Sequence, residues 1–409
     1  MHPSQIRISD YTYALPDEKI ARYPLAERDS SKLLVYQNGA ITDARYRELH
    51  QFLPAGSLLV FNNTKVVEAR LLFQKPSGGV IELFCLEPHD SYPDITTGLL
   101  QQGRVLWKCL IGGASKWKPG QVLHKAIHHN DTTINIEARY IEKQADSFII
   151  ELVWLPAHFS FAEILHHAGL LPLPPYLKRA AETADLERYQ TVYAEHDGSV
   201  AAPTAGLHFT PALFETLRQK NIHPAFLTLH VGAGTFKPVK TPTIGEHNMH
   251  AEPVEVPTSF IHRLIAAGDN VFAVGTTSLR TLESLYWMGV KTMLDPLLPL
   301  ASLPVGQWEV YDDKMAVDTP VKEALESLLQ WMERNGLERL LVKTQILIAP
   351  GYRLRTIKGL ITNFHQPQST LLLLVAAVAG SDWKKMYEHA LEHDYRFLSY
   401  GDGSLLFVE

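Results

Sequence analysis

One stretch, residues 201–236, most constrains the fold, because two loops of small residues and glycine surround a predicted helix and strand. Thr210 and Pro211 predict a helix start, with threonine as the capping residue and proline at the first helical position. Residues 225–231 predict a strand, and a glycine loop follows at 232–236. Such loops at strand and helix ends hold the ligands of α/β enzymes, so the stretch predicts a ligand site in an α/β fold.

Size and composition indicate a globular protein of one or two domains. The chain has 409 residues, is 46% hydrophobic and 20% charged, and carries a net charge of −6, so contact with nucleic acid would need a local basic patch. Its two cysteines, Cys85 and Cys109, lack CxxC spacing, which argues against a thiolate zinc cluster or a disulfide scaffold. Residues 1–16 lack a signal-peptide core, and the longest apolar run, 371–379, is too short to span a bilayer. We therefore expect a soluble, cytoplasmic protein.

An apolar run at residues 58–61 predicts a short buried strand. Asn62, Asn63, Thr64 and Lys65 follow it, and these residue types favour turns. We therefore expect a solvated turn after the strand.

Between about residues 66 and 154, helical periodicity gives way to short alternating segments separated by Gly-Gly and Pro-Gly turns. Strands are predicted at 80–86, 104–111, 134–141 and 147–154. Regular short strands with turn signals indicate a small β-barrel or sandwich. Four histidines are expected in loops of this region, solvated and without the spacing of metal ligands: His89, His124, His128 and His129.

A second junction of strand, glycine turn and helix is predicted after residues 270–274. It reads Gly275, Thr276, Thr277, Ser278. Free backbone N–H groups at a helix N-terminus hold anions or hydroxyl groups, so this turn is a candidate binding element. Ser278 as an ordinary N-cap is a second interpretation, and the two are compatible.

The candidate chemistry is acid–base catalysis by histidine and glutamate. The chain has no GxSxG, no GxxxxGK[ST] and no GxGxxG motif after a strand. Five histidines lie beside Gly, Thr or Asn in predicted loops, which favours a site: His208, His230, His247, His250 and His365. His247 and His250, with Glu252 nearby, have no accompanying HExxH-type pattern, so no metal is expected. The residues alone predict an α/β enzyme with an inserted β domain.

Longer motifs carry a resemblance to a known family. They lie at residues 13–24, 61–71, 171–176, 189–193, 201–209, 229–236, 247–252, 274–284, 362–370 and 395–402. In these motifs, and in their order along nearly the whole chain, the sequence resembles the S-adenosylmethionine:tRNA ribosyltransferase-isomerase family of queuosine biosynthesis.

The resemblance implies a fold and a reaction. The fold is an α/β domain with a large mixed sheet, formed by residues 1–66 and 153–409, and a small β-barrel domain inserted at 67–152. The reaction transfers the ribosyl part of S-adenosylmethionine to the aminomethyl group of a 7-deazaguanine at the wobble position of a tRNA anticodon. Adenine and methionine leave, and the ribose becomes the epoxycyclopentanediol of epoxyqueuosine. S-Adenosylmethionine is then a co-substrate, the partner is a tRNA anticodon loop, and no metal or membrane is implied.

The shared motifs also supply candidate site residues. Four are predicted to be catalytic and to lie around one pocket: His208, Glu252, Arg280 and His365. The predicted substrate-binding residues are Thr204, Gly206, His230, Gly232, Gly234, Thr235, His250, Thr276, Thr277, Ser278, Asn363, Tyr400 and Asp402. Because a sulfonium makes the adjacent C5′–H acidic, a neutral histidine or a glutamate can remove that proton. Which residue acts as base and which as acid stays open.

Several positions depart from the family pattern. They are Lys32, Lys358, Gly403, Ser404 and a segment at 285–339 that is longer than typical. A paralogue that uses S-adenosylmethionine on another acceptor, and a non-catalytic RNA-binding module, are the alternative hypotheses. A basic and aromatic patch for an anticodon loop is predicted from Arg22, Tyr23, Arg28, Lys32, Tyr176, Lys178 and Arg179.

Overall fold

The computed structural model describes residues 2–118, 120–130, 132–232, 239–312, 315 and 318–408. The strands of this part of the chain are β1 (Lys32–Gln37), β2 (Ala40–Arg45), β3 (Leu58–Asn62), β4 (Thr64–Val66), β5 (Arg70–Gln74), β6 (Val80–Pro88), β7 (Arg104–Gly112), β8 (Leu123–His129), β9 (Thr132–Lys143), β10 (Phe148–Leu155), β11 (Gly169–Leu170), β12 (His196–Ser199), β13 (His223–Leu229), β14 (Glu252–Pro257), β15 (Val271–Val274), β16 (Arg339–Thr344), β17 (Gly359–Asn363) and β18 (Gly403–Phe407). The α-helices are α1 (Ile95–Leu99), α2 (Phe161–Ala168), α3 (Asp185–Arg188), α4 (Pro211–Gln219), α5 (Thr258–Ala267), α6 (Thr276–Leu294), α7 (Val321–Arg334), α8 (Thr370–Ala379) and α9 (Trp383–Glu392). Within these described residues, we find no helix with the length and apolar character needed to cross a membrane.

The larger sheet has nine strands in the order β16-β14-β13-β3-β15-β17-β18-β1-β2. Its middle is parallel, because β3 pairs in parallel with β13 and β15, and β15 pairs in parallel with β17. The outer pairs, β14 with β16 and β1 with β2, are antiparallel, so the sheet is mixed. All residues of β3, β15 and β17 are buried, which is typical of strands covered on both faces.

Helices and loops cover the two faces of this sheet. Successive side chains of a strand point to opposite faces, and β3 shows the consequence. Val60 belongs to the same core cluster as Leu279 of α6, whereas Leu59 and Phe61 belong to the cluster that contains Leu213 of α4. Helix α4 begins as predicted, since the Thr210 hydroxyl accepts a hydrogen bond from the backbone N–H of Leu213 at 3.1 Å.

The four central parallel strands end at the same edge of the sheet. Residues 63–64 follow β3, 230–232 follow β13, 275–277 follow β15 and 364–365 follow β17. In open α/β sheets, ligands bind outside the carboxyl ends of the strands. The topology therefore brings distant segments of the chain to one candidate site.

The second sheet is antiparallel, with seven strands in the order β11-β5-β6-β7-β10-β9-β8. Several strands separate β5 from β8 in this order, yet the Lys125 ammonium on β8 donates to the carbonyl of Leu72 on β5 at 3.1 Å. The sheet is therefore curled. Helix α2 packs into its core through Phe161, which contacts Trp107 and Trp154. This sheet therefore has a hydrophobic core of its own.

The predicted α/β class with a large mixed sheet is confirmed, and β6, β7, β9 and β10 correspond to the four strands predicted between 66 and 154. Strand β8 was not predicted, so the expectation that His124, His128 and His129 lie in loops is wrong. The strand reads Leu-His-Lys-Ala-Ile-His-His, and its exposure alternates from residue to residue although its sequence does not alternate strictly between apolar and polar types. A closed barrel, and the division into a discontinuous catalytic domain and an inserted domain, stay predictions.

Candidate active site

Two cavities lie at the edge where the parallel strands end. The larger has a volume of about 750 Å³ and the smaller about 90 Å³. Val231 and Leu371 line both, so the cavities adjoin. Of the predicted site residues, the larger cavity is lined by His230, Gly232, His250, Glu252 and Arg280. The smaller is lined by Thr204, Thr276, Thr277, Asn363 and His365.

A buried ion pair forms one wall of the larger cavity. Nη1 of Arg280, on α6, donates to Oε2 of Glu252 at the start of β14, and the two side chains are only 8% and 7% exposed. Nε of Arg280 donates to the carbonyl of Ile346 at 3.1 Å. Among the described residues, Nη2 of Arg280 has no acceptor, and Oε1 of Glu252 accepts no hydrogen bond. The cavity thus has fixed charges of both signs with unused hydrogen-bonding capacity.

His230 lines the larger cavity beside a pair of buried hydroxyl groups. Its Nδ1 lies 3.1 Å from Oγ1 of Thr64, which lies 2.7 Å from Oγ of Ser199. Gly198 makes room for the ring, since its φ is 143° and a Cβ there would lie 2.7 Å from Nδ1 of His230. Burial lowers the pKa of His230 to about 4, so its imidazole is neutral at neutral pH.

Thr64 and Ser199 were missed by the sequence analysis. Residues 62–65 were expected to form a solvated turn, but Asn62, Asn63 and Thr64 are buried, so that prediction is wrong. The Asn62 amide replaces strand pairing, because its Nδ2 donates to the carbonyl of Leu229 and its Oδ1 accepts from the N–H of the same residue. The usable signal was a run of polar residues at the carboxyl end of a fully apolar strand.

Hydroxyl and amide groups surround the smaller cavity. Oγ1 of Thr204 donates to Oδ1 of Asn363 at 2.8 Å. Nε2 of His365 lies 2.9 Å from Oγ1 of Thr362, and desolvation lowers the pKa of His365 to about 3. Oγ1 of Thr277 is buried with no hydrogen-bond partner in the part of the chain that the structure describes. The cavity therefore offers a neutral imidazole and an unpaired hydroxyl group.

Helix α6 begins at this smaller cavity. Its N-cap is Gly275, whose φ of 90° is a conformation that favours glycine. Thr276 and Thr277 follow and line the smaller cavity, and ligand binding by this turn stays a prediction. Ser278 lies inside the first turn, and its hydroxyl donates to the carbonyl of Val274 at 2.9 Å. The interpretation of Ser278 as the N-cap is therefore wrong, and neither cavity is lined by it.

His208 lines neither cavity. It is 3% exposed, its ring stacks on Tyr46 with centroids 4.2 Å apart, and burial lowers its pKa to about 3. Nδ2 of Asn363, which lines the smaller cavity, lies 3.3 Å from its Nε2, so Asn363 separates His208 from that cavity. The prediction that His208, Glu252, Arg280 and His365 line one pocket is wrong. The ion pair lines the larger cavity and His365 the smaller.

Gly206 and Tyr400 were predicted to bind substrate but line neither cavity. A Cβ on Gly206 would lie 1.9 Å from the Tyr193 hydroxyl, so the glycine is needed for packing. The Tyr400 hydroxyl donates to Oδ1 of Asp185 at 2.8 Å.

Asp402 was also predicted to bind substrate, and it too lies outside both cavities. Its carboxylate accepts from the backbone N–H groups of Lys32 and Arg396, at 2.9 and 2.8 Å. It therefore holds β1 beside the C-terminal segment. Two further predicted residues, Gly234 and Thr235, lie outside the described residues.

The predicted basic patch consists largely of paired charges. Arg22 and Lys178 both contact Asp17, with N–O distances of 2.7 and 2.6 Å. Arg179 forms a buried ion pair with Asp185 at 2.6 Å. Of these three cations, Arg22 and Lys178 are exposed, whereas Arg179 is largely buried.

The fold is that of an α/β protein whose two cavities lie at the carboxyl edge of parallel strands, where such folds bind their ligands. The sequence matches the family model described as queuosine biosynthesis protein over residues 8–296 and 310–406. It is 38% identical over 408 residues to the S-adenosylmethionine:tRNA ribosyltransferase-isomerase of Magnetococcus marinus, a match that covers 98% of this chain and 94% of that protein. A crystal structure of the S-adenosylmethionine tRNA ribosyltransferase of Thermotoga maritima is 27% identical, with 97% and 99% of the two chains covered and a TM-score of 0.44. The chain belongs to the queuosine biosynthesis protein family, which confirms the resemblance found in its sequence motifs.

Proposed function

We propose that this protein is an S-adenosylmethionine:tRNA ribosyltransferase-isomerase of the cytoplasm. It transfers the ribosyl group of S-adenosylmethionine to 7-aminomethyl-7-deazaguanine at the tRNA wobble position and isomerises it, giving epoxyqueuosine, adenine and methionine. The observation that carries the proposal is the pair of adjoining cavities, lined by residues of the family motifs, in a chain that matches its relative over 98% of its length.

The cavity chemistry suits a sulfonium donor. The first step removes a proton from C5′, which the positive sulfur acidifies, and it needs a base that is unprotonated at neutral pH. Two groups are candidates: Glu252, whose side chain is held in place by Arg280, and His365, whose buried imidazole is neutral at neutral pH. The sulfonium supplies the electrophilic activation, so we propose a reaction without a metal.

The ribose needs polar partners, because its hydroxyl groups must be held while two bonds at the sugar break. Thr276, Thr277 and the N–H groups at the start of α6 offer such partners beside His365. Asn363 and Thr204 extend this polar surface. We propose that the sugar lies where the two cavities adjoin, at Val231 and Leu371.

The test is release of adenine and methionine from S-adenosylmethionine in the presence of an anticodon stem-loop that carries the aminomethyl-deazaguanine. We expect both products in equal amounts, together with a matching mass increase of the RNA. A stem-loop with guanine at the wobble position is the matched control and should give neither product. Tight binding of S-adenosylmethionine without adenine release on the modified stem-loop would contradict the proposal.

A further inference from the structure

A short line of hydrogen bonds runs behind the larger cavity and ends on His230. It starts at the backbone N–H of Val231, which donates to Oγ of Ser199 at 2.8 Å. Oγ of Ser199 lies 2.7 Å from Oγ1 of Thr64, and Oγ1 of Thr64 lies 3.1 Å from Nδ1 of His230. Thr64 and Ser199 are both 0% exposed, so water does not compete for these bonds.

The direction of the line follows from its fixed end. A backbone N–H can only donate, so Oγ of Ser199 accepts from Val231. The Ser199 hydroxyl hydrogen then has Oγ1 of Thr64 as its acceptor within the described structure. The Thr64 hydrogen can go to Nδ1 of His230 at 3.1 Å or to the carbonyl of His196 at 3.4 Å, and the shorter contact favours His230.

The direction of the line fixes the tautomer of His230. Burial keeps the ring neutral at neutral pH, and a neutral imidazole carries one hydrogen. Because Nδ1 accepts from Thr64, that hydrogen lies on Nε2. Nε2 has no partner among the residues that the structure describes, and His230 lines the larger cavity. His230 therefore offers this cavity a hydrogen-bond donor and not a base.

We propose that Nε2–H of His230 donates a hydrogen bond to N3 or N7 of the adenine of S-adenosylmethionine, with Thr64 as the positioning residue. This inference rests on the proposed function. As the bond between C1′ and N9 breaks, its electron pair goes to the adenine, and a fixed donor stabilises the growing negative charge. The hydrogen stays on Nε2, and the adenine takes its proton from water. The deazaguanine acceptor has carbon in place of N7 but keeps N3, so of these two ring nitrogens only N7 is absent from the acceptor base.

The first experiment reads the tautomer without any substrate. Nitrogen-15 NMR of ring-labelled histidine in the full chain, assigned with His230→Gln, should show Nε2 of His230 protonated. Thr64→Val removes the hydroxyl but keeps the shape, and should shift the ring toward the other tautomer. Thr64→Ser should restore the wild-type signal, whereas a merely structural role of Thr64 would leave the tautomer unchanged. Protonation of Nδ1 in the wild type would overturn the proposal.

The second experiment follows adenine release. His230→Ala should lower kcat by about 100-fold, the size expected for one lost donor, whereas His230→Gln, whose amide replaces Nε2–H, should keep more of the rate. Donors with 3-deazaadenine and 7-deazaadenine should identify the nitrogen, since the analogue lacking it should be slow with wild type and insensitive to His230→Ala. Equal sensitivity of all three donors to His230→Ala would overturn the assignment to adenine. If wild type releases no adenine at all, the proposed function fails, while the NMR result still decides the direction of the hydrogen bonds.

Discussion

Replacement of either partner of the Arg280–Glu252 pair should cost far more stability than replacement of both. The side chains of Arg280 and Glu252 are only 8% and 7% exposed, respectively. Arg280→Met therefore leaves a buried carboxylate without its counter-charge, and Glu252→Met leaves a buried guanidinium without its counter-charge. Removing one partner of a buried pair costs about 3–5 kcal/mol. At about 1.4 kcal/mol per tenfold, each variant should lower the ratio of folded to unfolded protein by a factor of about 100 to 4,000.

The double variant tests the reasoning. Two apolar side chains of similar size need no counter-charge, so Arg280→Met with Glu252→Met should be more stable than either single variant. Arg339→Met is the matched control, because Arg339 of β16 pairs with Glu255 of β14, the strand that also carries Glu252, but is 64% exposed. That change should cost about 0–1 kcal/mol. Denaturation midpoints in urea give the ranking, and a double variant as unstable as the sum of the single ones would refute it.

Three further predictions concern protonation, metal and RNA. Burial holds the pKa of His208 near 3, below its unfolded value of 6.5, so its stability contribution is complete above pH 6.5 and lost as pH falls toward 3. His208→Phe should therefore flatten the loss of thermal stability between pH 6.5 and 4, and an unchanged slope would contradict this. Adenine release should persist after treatment with a chelator, whereas loss of activity and its return with zinc or iron would show a metal requirement. Lys178→Glu should weaken binding of the modified stem-loop, most at low salt, because Lys178 is 59% exposed. Its control is Lys322→Glu, 69% exposed on α7, and equal effects of the two would remove Lys178 from the RNA surface.

Local signals predicted the elements that carry the site. Thr210 and Pro211 marked the start of α4, and Gly275 marked the turn into α6. Capping and glycine conformation are decided within a few residues, so one sequence suffices to find them. The motif residues that line the cavities follow such turns, as Thr276 and Thr277 do.

Side-chain direction was decided by partners far along the chain. His208 faces Tyr46 and Asn363 instead of a cavity, and neither partner is visible from its local sequence. Thr64 appeared to be a turn residue because its partners, Ser199 and His230, lie more than a hundred positions away. Tertiary packing therefore decided which histidines of the motifs line the two cavities.

The order of strands in the larger sheet has a consequence for synthesis of the protein. Strand β1 lies beside β18, with Leu33 paired to Gly403 and Tyr36 to Leu406. One edge of β1 can therefore complete its hydrogen bonds only after β18 has been synthesised. On the ribosome, the hairpin of β1 and β2 leaves the exit tunnel long before β18 is made. The buried edge of β1 therefore stays uncovered for almost the whole of translation, and such an unpaired strand edge is prone to aggregate. Nascent chains of this protein should therefore depend on ribosome-associated chaperones until β18 has left the exit tunnel.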